Sequence, residues 1–138
     1  MKRRTKIVLI CIIFLTLLIL TLLIVRYAYV NYSTGVPTGE VVLHYDGKEF
    51  SLTSEEAEQM QKIFRFKFYN FGIGGCYYKE NTAITFGNQK FAIALDGCWS
   101  AKEWDAEHYI VFSRLEFEQI AALFEKYCGD TPIYIYSP

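Results

Sequence analysis

The chain has 138 residues, 52% of them apolar and 17% aromatic, and its 11 Tyr, 11 Phe and 2 Trp exclude intrinsic disorder and leave room for one packed domain. The net charge of −1 averages two unlike segments: of the 14 bases, Lys2, Arg3, Arg4, Lys6 and Arg26 are the only charged side chains through residue 35, so nine bases face all 15 acids in the rest, a balance of −6. An acidic globular part argues against nucleic acid as a partner, because phosphate binding needs a basic face.

Residues 7–25 (IVLICIIFLTLLILTLLIV) carry no charge, and their only hydroxyls, Thr16 and Thr21, can bond back to helix carbonyls. At a rise of 1.5 Å per residue this run spans roughly 28 Å, close to the ~30 Å hydrocarbon core of a bilayer. A secretory signal has a shorter apolar region followed by small residues at a cleavage site. Here Arg26, Tyr27, Ala28, Tyr29 and Val30 follow, without an A-x-A pattern, and Cys11 lies inside the apolar run with Ile10 before it, unlike a lipoprotein cysteine. The expectation is an uncleaved signal anchor: a basic tail over residues 1–6 on the cytoplasmic side and a single span with an aromatic interface over 7–32, embedded in membrane lipid. Four bases flank the N-terminal side of the run and one the other, so the positive-inside rule places the rest of the chain outside the cell membrane. Tyr27, Tyr29 and Tyr32 suit the outer headgroup belt.

A linker of flexible composition follows over residues 33–39 (STGVPTG), and residues 40–138 form the extracytoplasmic domain. Residues 40–45 (EVVLHY) and 48–52 (KEFSL) flank Asp46-Gly47, a pair that readily takes the positive φ values of a two-residue hairpin turn. Thr53 with Glu56 forms a capping box, opening a helix with Ala57, Met60, Ile63 and Phe64 on one face. Strands are expected over 82–86 (TAITF) and 90–95 (KFAIAL) around Gly87-Asn88-Gln89, and over 108–112 (HYIVF) after a polar loop. Ser113 with Glu116 is a second capping box; Phe117, Ile120, Ala121, Phe124 and Cys128 recur at helical spacing, and Gly129 is the expected stop. A last strand is expected over 133–136 (IYIY).

Residues 58–64 (EQMQKIF) match 118–124 (EQIAALF) at an offset of 60. A strand-strand-helix duplication would produce this; so would any two capped amphipathic helices, which is the simpler account. The fold class is α+β, with an antiparallel sheet and the two amphipathic helices packed on one face.

Cys76, Cys98 and Cys128 lie beyond the anchor, in a compartment where disulfides persist. Cys128 falls on an apolar helix face. Cys76 and Cys98 bracket the central hairpin, and a bridge between them would close about 23 residues and stabilise by roughly 3 kcal/mol. No spacing places two metal ligands on one turn, although His44, His108 and the cysteines exist, and no metal or cofactor is expected. The glycines of residues 69–75 (YNFGIGG) lack the lysine of a phosphate loop and read as turns.

Residues 96–107 are the richest in candidate chemistry. Asp96, Glu103, Asp105 and Glu107 crowd there with Trp99 and Trp104, and crowded carboxylates can shift one another's pKa as glycosidases exploit. Nothing in the pattern faces two of them across a cleft. The expected role is binding by Asp96, Trp99, Glu103, Trp104 and Asp105, with the tryptophans as anchors and the acids selecting a cationic protein, peptide or wall component. The alternative folds both indoles onto the core. The functional expectation is a non-enzymatic, membrane-anchored binding module outside the cell. The alternatives are an immunity or inhibitor protein at the cell surface, or an extracytoplasmic hydrolase or thiol oxidoreductase. The layout resembles that of small bacterial cell-surface proteins, a likeness that assigns no activity.

Overall fold

A computed structural model describes residues 3–71 and 75–129. The strand expected over 133–136 and residues 72–74 of the glycine-rich stretch lie outside the described residues. The elements are α1 (Arg3–Tyr32), β1 (Val41–Tyr45), β2 (Lys48–Ser51), α2 (Ser54–Phe64), β3 (Tyr78–Phe86), β4 (Gln89–Ala94), β5 (Ser100–Glu103), β6 (His108–Val111) and α3 (Arg114–Cys128). The chain is α+β: a long apolar helix, then one six-stranded antiparallel sheet in the order β2-β1-β3-β4-β5-β6, with two further helices.

Over 5–32, α1 is long and apolar enough to cross a membrane, a property a signal sequence shares. Its Thr16 and Thr21 hydroxyls donate to the carbonyls of Ile13 and Leu17, which satisfies them within the helix.

The sheet's two faces separate by the period of two. Leu43, Ile84, Phe86, Phe91, Ile93, Ala101 and Ile110 point to one side, where α2 contributes Met60, Ile63 and Phe64 and α3 contributes Phe117, Ile120, Leu123 and Phe124. Phe64 is the hub: its ring centroid lies 4.9 to 5.2 Å from those of Phe86, Phe91 and Phe112. Both capping boxes form, Thr53 with Glu56 and Ser113 with Glu116, and Gly129 closes α3 in the left-handed conformation at φ 69°. Asp46 (φ 49°) and Gly47 (φ 76°) make the hairpin turn that their sequence favours.

The structure repeats itself about its middle. Adding 60 to the bounds of β2 gives those of β6, adding 60 to the start of α2 gives the start of α3, and β1 maps onto 101–105, overlapping β5. The two hairpins occupy opposite edges of the sheet. The helices run head to tail: Glu56 at the N-terminus of α2 accepts hydrogen bonds from Lys126 and Tyr127 near the end of α3, while Glu116 at the N-terminus of α3 accepts 2.7 Å bonds from Lys67, just beyond the end of α2. The offset of 60 therefore reaches past the helices to both hairpins and to the ion pairs that join the units, which general helix likeness does not explain.

Two regions differ from expectation. Residues 96–107 are not one loop, because residues 100–103 (SAKE) form β5 between β4 and β6. None of these residues is β-branched or aromatic; pairing on both edges and Ala101 in the core outweigh weak propensity. Residues 33–39, in turn, are no slack tether: Ser33, Thr34 and Pro37 are buried. Ser33 bridges to Phe68, the Thr34 amide donates to the Lys67 carbonyl (2.9 Å), the Phe66 amide to the Gly35 carbonyl (2.7 Å), and the Tyr69 amide to the Tyr32 carbonyl (2.8 Å). The Thr34 hydroxyl donates to the Phe64 carbonyl and accepts from the Lys67 amide. The end of α1 is thus stitched to the segment that leaves α2.

Candidate functional site

Strand β5 divides the five expected binding residues between its two ends. Asp96 and Trp99 precede it, beside Cys76 and Cys98; Glu103 ends it, and Trp104 and Asp105 lead the four-residue turn into β6. Two separate clusters replace the single expected surface.

At the first end, Cys76 and Cys98 stand at disulfide distance with Cα atoms 6.0 Å apart, the pairing anticipated from their places around the central hairpin. The bond ties the entry of β3 to the exit of β4, where Tyr78 pairs with Ala94 across a bulge. Asp96 lies beside it, its carboxylate accepting a 2.8 Å bond from the Tyr77 amide. Asp96 and the two sulfurs are close enough to hold a cation, but the disulfide engages both sulfurs and leaves one carboxylate, so the oxidised site does not fit a metal. Trp99 is half-buried and packs against the core, its carbonyl accepting from the Phe112 amide at 2.8 Å. Its indole is partly structural.

At the second end, Glu103 and His108 face each other as a cross-strand pair on the core side of the sheet, beyond the last core layer. Their nearest side-chain atoms are 3.6 Å apart, and the Glu103 side chain is only 14% exposed. Tyr69 donates its hydroxyl to Glu103; burial first and this hydrogen bond second push the tyrosine's pKa up, so it stays a protonated donor. The His108 ring lies against Tyr69 (4.4 Å between centroids) and edge-on to Phe71 (5.2 Å). An open crevice of about 620 Å³ separates this cluster from the end of α1, with Tyr29, Ser33, Phe66, Tyr69, Glu103 and His108 on its walls. Next to it, Trp104 is half-buried under the Lys102 ammonium, 5.5 Å from the ring, and Asp105 and Glu107 are exposed. Chemically, this end offers a carboxylate and aromatic faces to a cation from the crevice side and a second acidic, indole-bearing surface at the turn.

Tyr69 and His108 were not among the residues singled out for binding. The signal for His108 was available once a strand is placed at 100–103, since a hairpin ending at Glu103 and restarting at His108 pairs those two directly. Tyr69 had none, because only the docking of residues 66–69 onto the linker brings it there. His44, the other histidine, sits on the opposite sheet face; its ring bonds to the Thr85 hydroxyl at 3.0 Å, and burial pushes its pKa down against the opposing pull of Glu49.

No protein family, no curated protein and no solved structure matches this chain.

Proposed function

We propose that the protein is a single-pass membrane-anchored module, N-terminus in the cytoplasm, whose outer domain binds a cationic protein, peptide or wall component without catalysing a reaction. The observation that carries this reading is the pairing of two features. The folded domain leaves the apolar side chains of α1 wholly uncovered, from Ile7 to Val25 about half or more exposed, a surface that water disfavours and lipid satisfies. At the far side of the sheet from β2, the exposed acids Asp105 and Glu107 share the tip of an ordered hairpin with Trp104, whose ring faces Lys102, while Glu103 turns to the crevice on the core side. The excess of six acids in residues 36–138 would steer a cation toward it.

The test uses the full chain in lipid nanodiscs, because cutting at residue 33 would remove the stitching to Tyr32. Surface-exposed extracts from the host are passed over it at low and moderate salt. Capture that weakens with salt and is lost in the pair of substitutions Trp104→Ala and Asp105→Asn supports the reading. Capture indifferent to both substitutions removes the β5–β6 hairpin as the binding surface.

A further inference from the structure

Around the outer end of α1, exposed aromatic rings gather where a soluble domain would place polar side chains. Phe66 is 41% exposed and Phe68 54%. Both rings pack on Tyr29, at centroid distances of 5.6 and 5.2 Å. Between them Lys67 turns the other way, toward Glu116 and the Phe112 ring. Phe66 holds φ at 52°, a left-handed conformation that an ordinary side chain disfavours, and the hydrogen bond its N–H donates to the Gly35 carbonyl keeps it there. The backbone is thus constrained to present two phenylalanines on the side of the anchor helix.

Their height follows from helix geometry. Tyr29 lies four residues beyond the apolar run, about 6 Å along the axis, which is roughly the depth of the interfacial layer on one side of a bilayer. Helical side chains lean toward the N-terminus, so the Tyr29 ring tilts back toward the hydrocarbon boundary and the two phenylalanine rings that meet it are held at the same level. The Arg65 guanidinium lies over the Phe66 ring at 4.9 Å, and Arg26 sits one turn below Tyr29, so cations are available for lipid phosphates beside the rings.

We infer that Phe66 and Phe68 form, with Tyr29, a second membrane contact of the protein: a platform that inserts into the headgroup layer of the same bilayer that holds α1 and fixes the domain against the outer surface. This rests on the anchoring proposed above. It fits a lipid surface because the rings are continuous with the span, aromatic, and flanked by cations. A docked domain would hold the crevice of Glu103 and His108, whose walls include Tyr29 and Phe66, beside the membrane surface.

The experiment reads depth. The full chain is reconstituted in phosphatidylcholine–phosphatidylglycerol vesicles whose acyl chains carry bromine either near the headgroup or deep in the core. Phe68→Trp reports the platform and Leu15→Trp, at the middle of the apolar run, reports the span; each is compared with the unsubstituted chain, whose own indoles set the background. The expected result is that shallow bromine removes a fraction of the emission added by Phe68→Trp at least about twofold larger than deep bromine does, while Leu15→Trp shows the reverse order. Quenching of Leu15→Trp with none of Phe68→Trp overturns the platform and leaves the anchor intact. Quenching of neither overturns the anchor, and the platform with it. Should Phe68→Trp lose the Cys76–Cys98 bond or the cooperative thermal transition, Phe66→Trp, aromatic for aromatic on the same ring cluster, takes its place with the same outcomes.

Discussion

The two strand-strand-helix units at opposite edges of the sheet share their plan and differ at their turns. In the first, Asp46-Gly47 closes β1 and β2 with two residues in positive φ; in the second, Trp104 to Glu107 form a longer turn of which only Glu107 has positive φ (52°). The first unit carries no disulfide and exposes its edge strand, while the second abuts Cys98 and has Asn70 bridged to its edge at Tyr109. What stays alike is what holds the core: caps, buried helix face and reciprocal ion pairs. What differs is surface chemistry, and the indole and the acids of the proposed site belong to the second unit alone.

The strongest probe of the shared core is the pair Phe64→Ala and Phe124→Ala, equivalent positions that are both fully buried. Each should cost about 3–5 kcal/mol of stability, with Phe64 the larger because it alone joins the three-ring cluster, read as thermal or urea unfolding of the full chain in detergent micelles. Equal losses would mean that ring contacts add nothing beyond burial.

The disulfide lies on the central hairpin and borders only the second unit, through Cys98. Replacing Cys76 and Cys98 together with Ser should cost roughly 3 kcal/mol in the same assay, and alkylation of the native chain after unfolding without reduction should label Cys11 and Cys128 alone. Labelling of all four cysteines in material taken from the cell surface would show the bond absent in place.

The tryptophans separate the two ends of β5. Trp99→Ala should lose about 2 kcal/mol by giving up packing against the core, whereas Trp104→Ala should stay within about 1 kcal/mol and act on binding instead. Similar stability losses at both would make the hairpin tip structural.

Glu56 and Glu116 test the reciprocal caps at the smallest scale. Hydrogen bonds from Lys126 and Tyr127 hold the Glu56 carboxyl down at about 2 against an ordinary 4.5. Burial pushes the Glu116 carboxyl up, yet the bonds from Lys67 and Ser113 together outweigh it and leave it lowered. For both, the folded state binds the proton more weakly than the unfolded chain, so their contribution is fully present above pH 4.5 and is lost as pH falls, for Glu56 through about 2. Glu56→Gln and Glu116→Gln should each cost about 1–2 kcal/mol near neutral pH and flatten the acid limb of the stability profile. A limb unchanged in either variant would remove that carboxylate from the account.

Local chemistry explains what could be read ahead of the structure. Thr53 with Glu56, Ser113 with Glu116, Asp46-Gly47 and Gly129 act within four residues, so their signals survive in any tertiary setting, and Cys76 with Cys98 followed from the hairpin they bracket. β5 was hidden because Ser100, Ala101, Lys102 and Glu103 have no strand propensity of their own and become a strand only between two neighbours. The buried linker was hidden for a similar reason: Ser33, Thr34 and Gly35 are flexible in composition, and only their pairing with Phe66 to Tyr69 orders them. The candidate site suffered from both, since an unrecognised strand merged its two ends, and Tyr69 reaches Glu103 only through the docked linker.

Whether α1 anchors an outer domain in the cell membrane is read by treating intact cells with protease and extracting their membranes at alkaline pH. An anchored outer domain should be digested from outside and, without protease, the full chain should stay with the alkali-washed membrane. A domain protected until the cells are broken, or a soluble mature chain starting near Asn31, would contradict it.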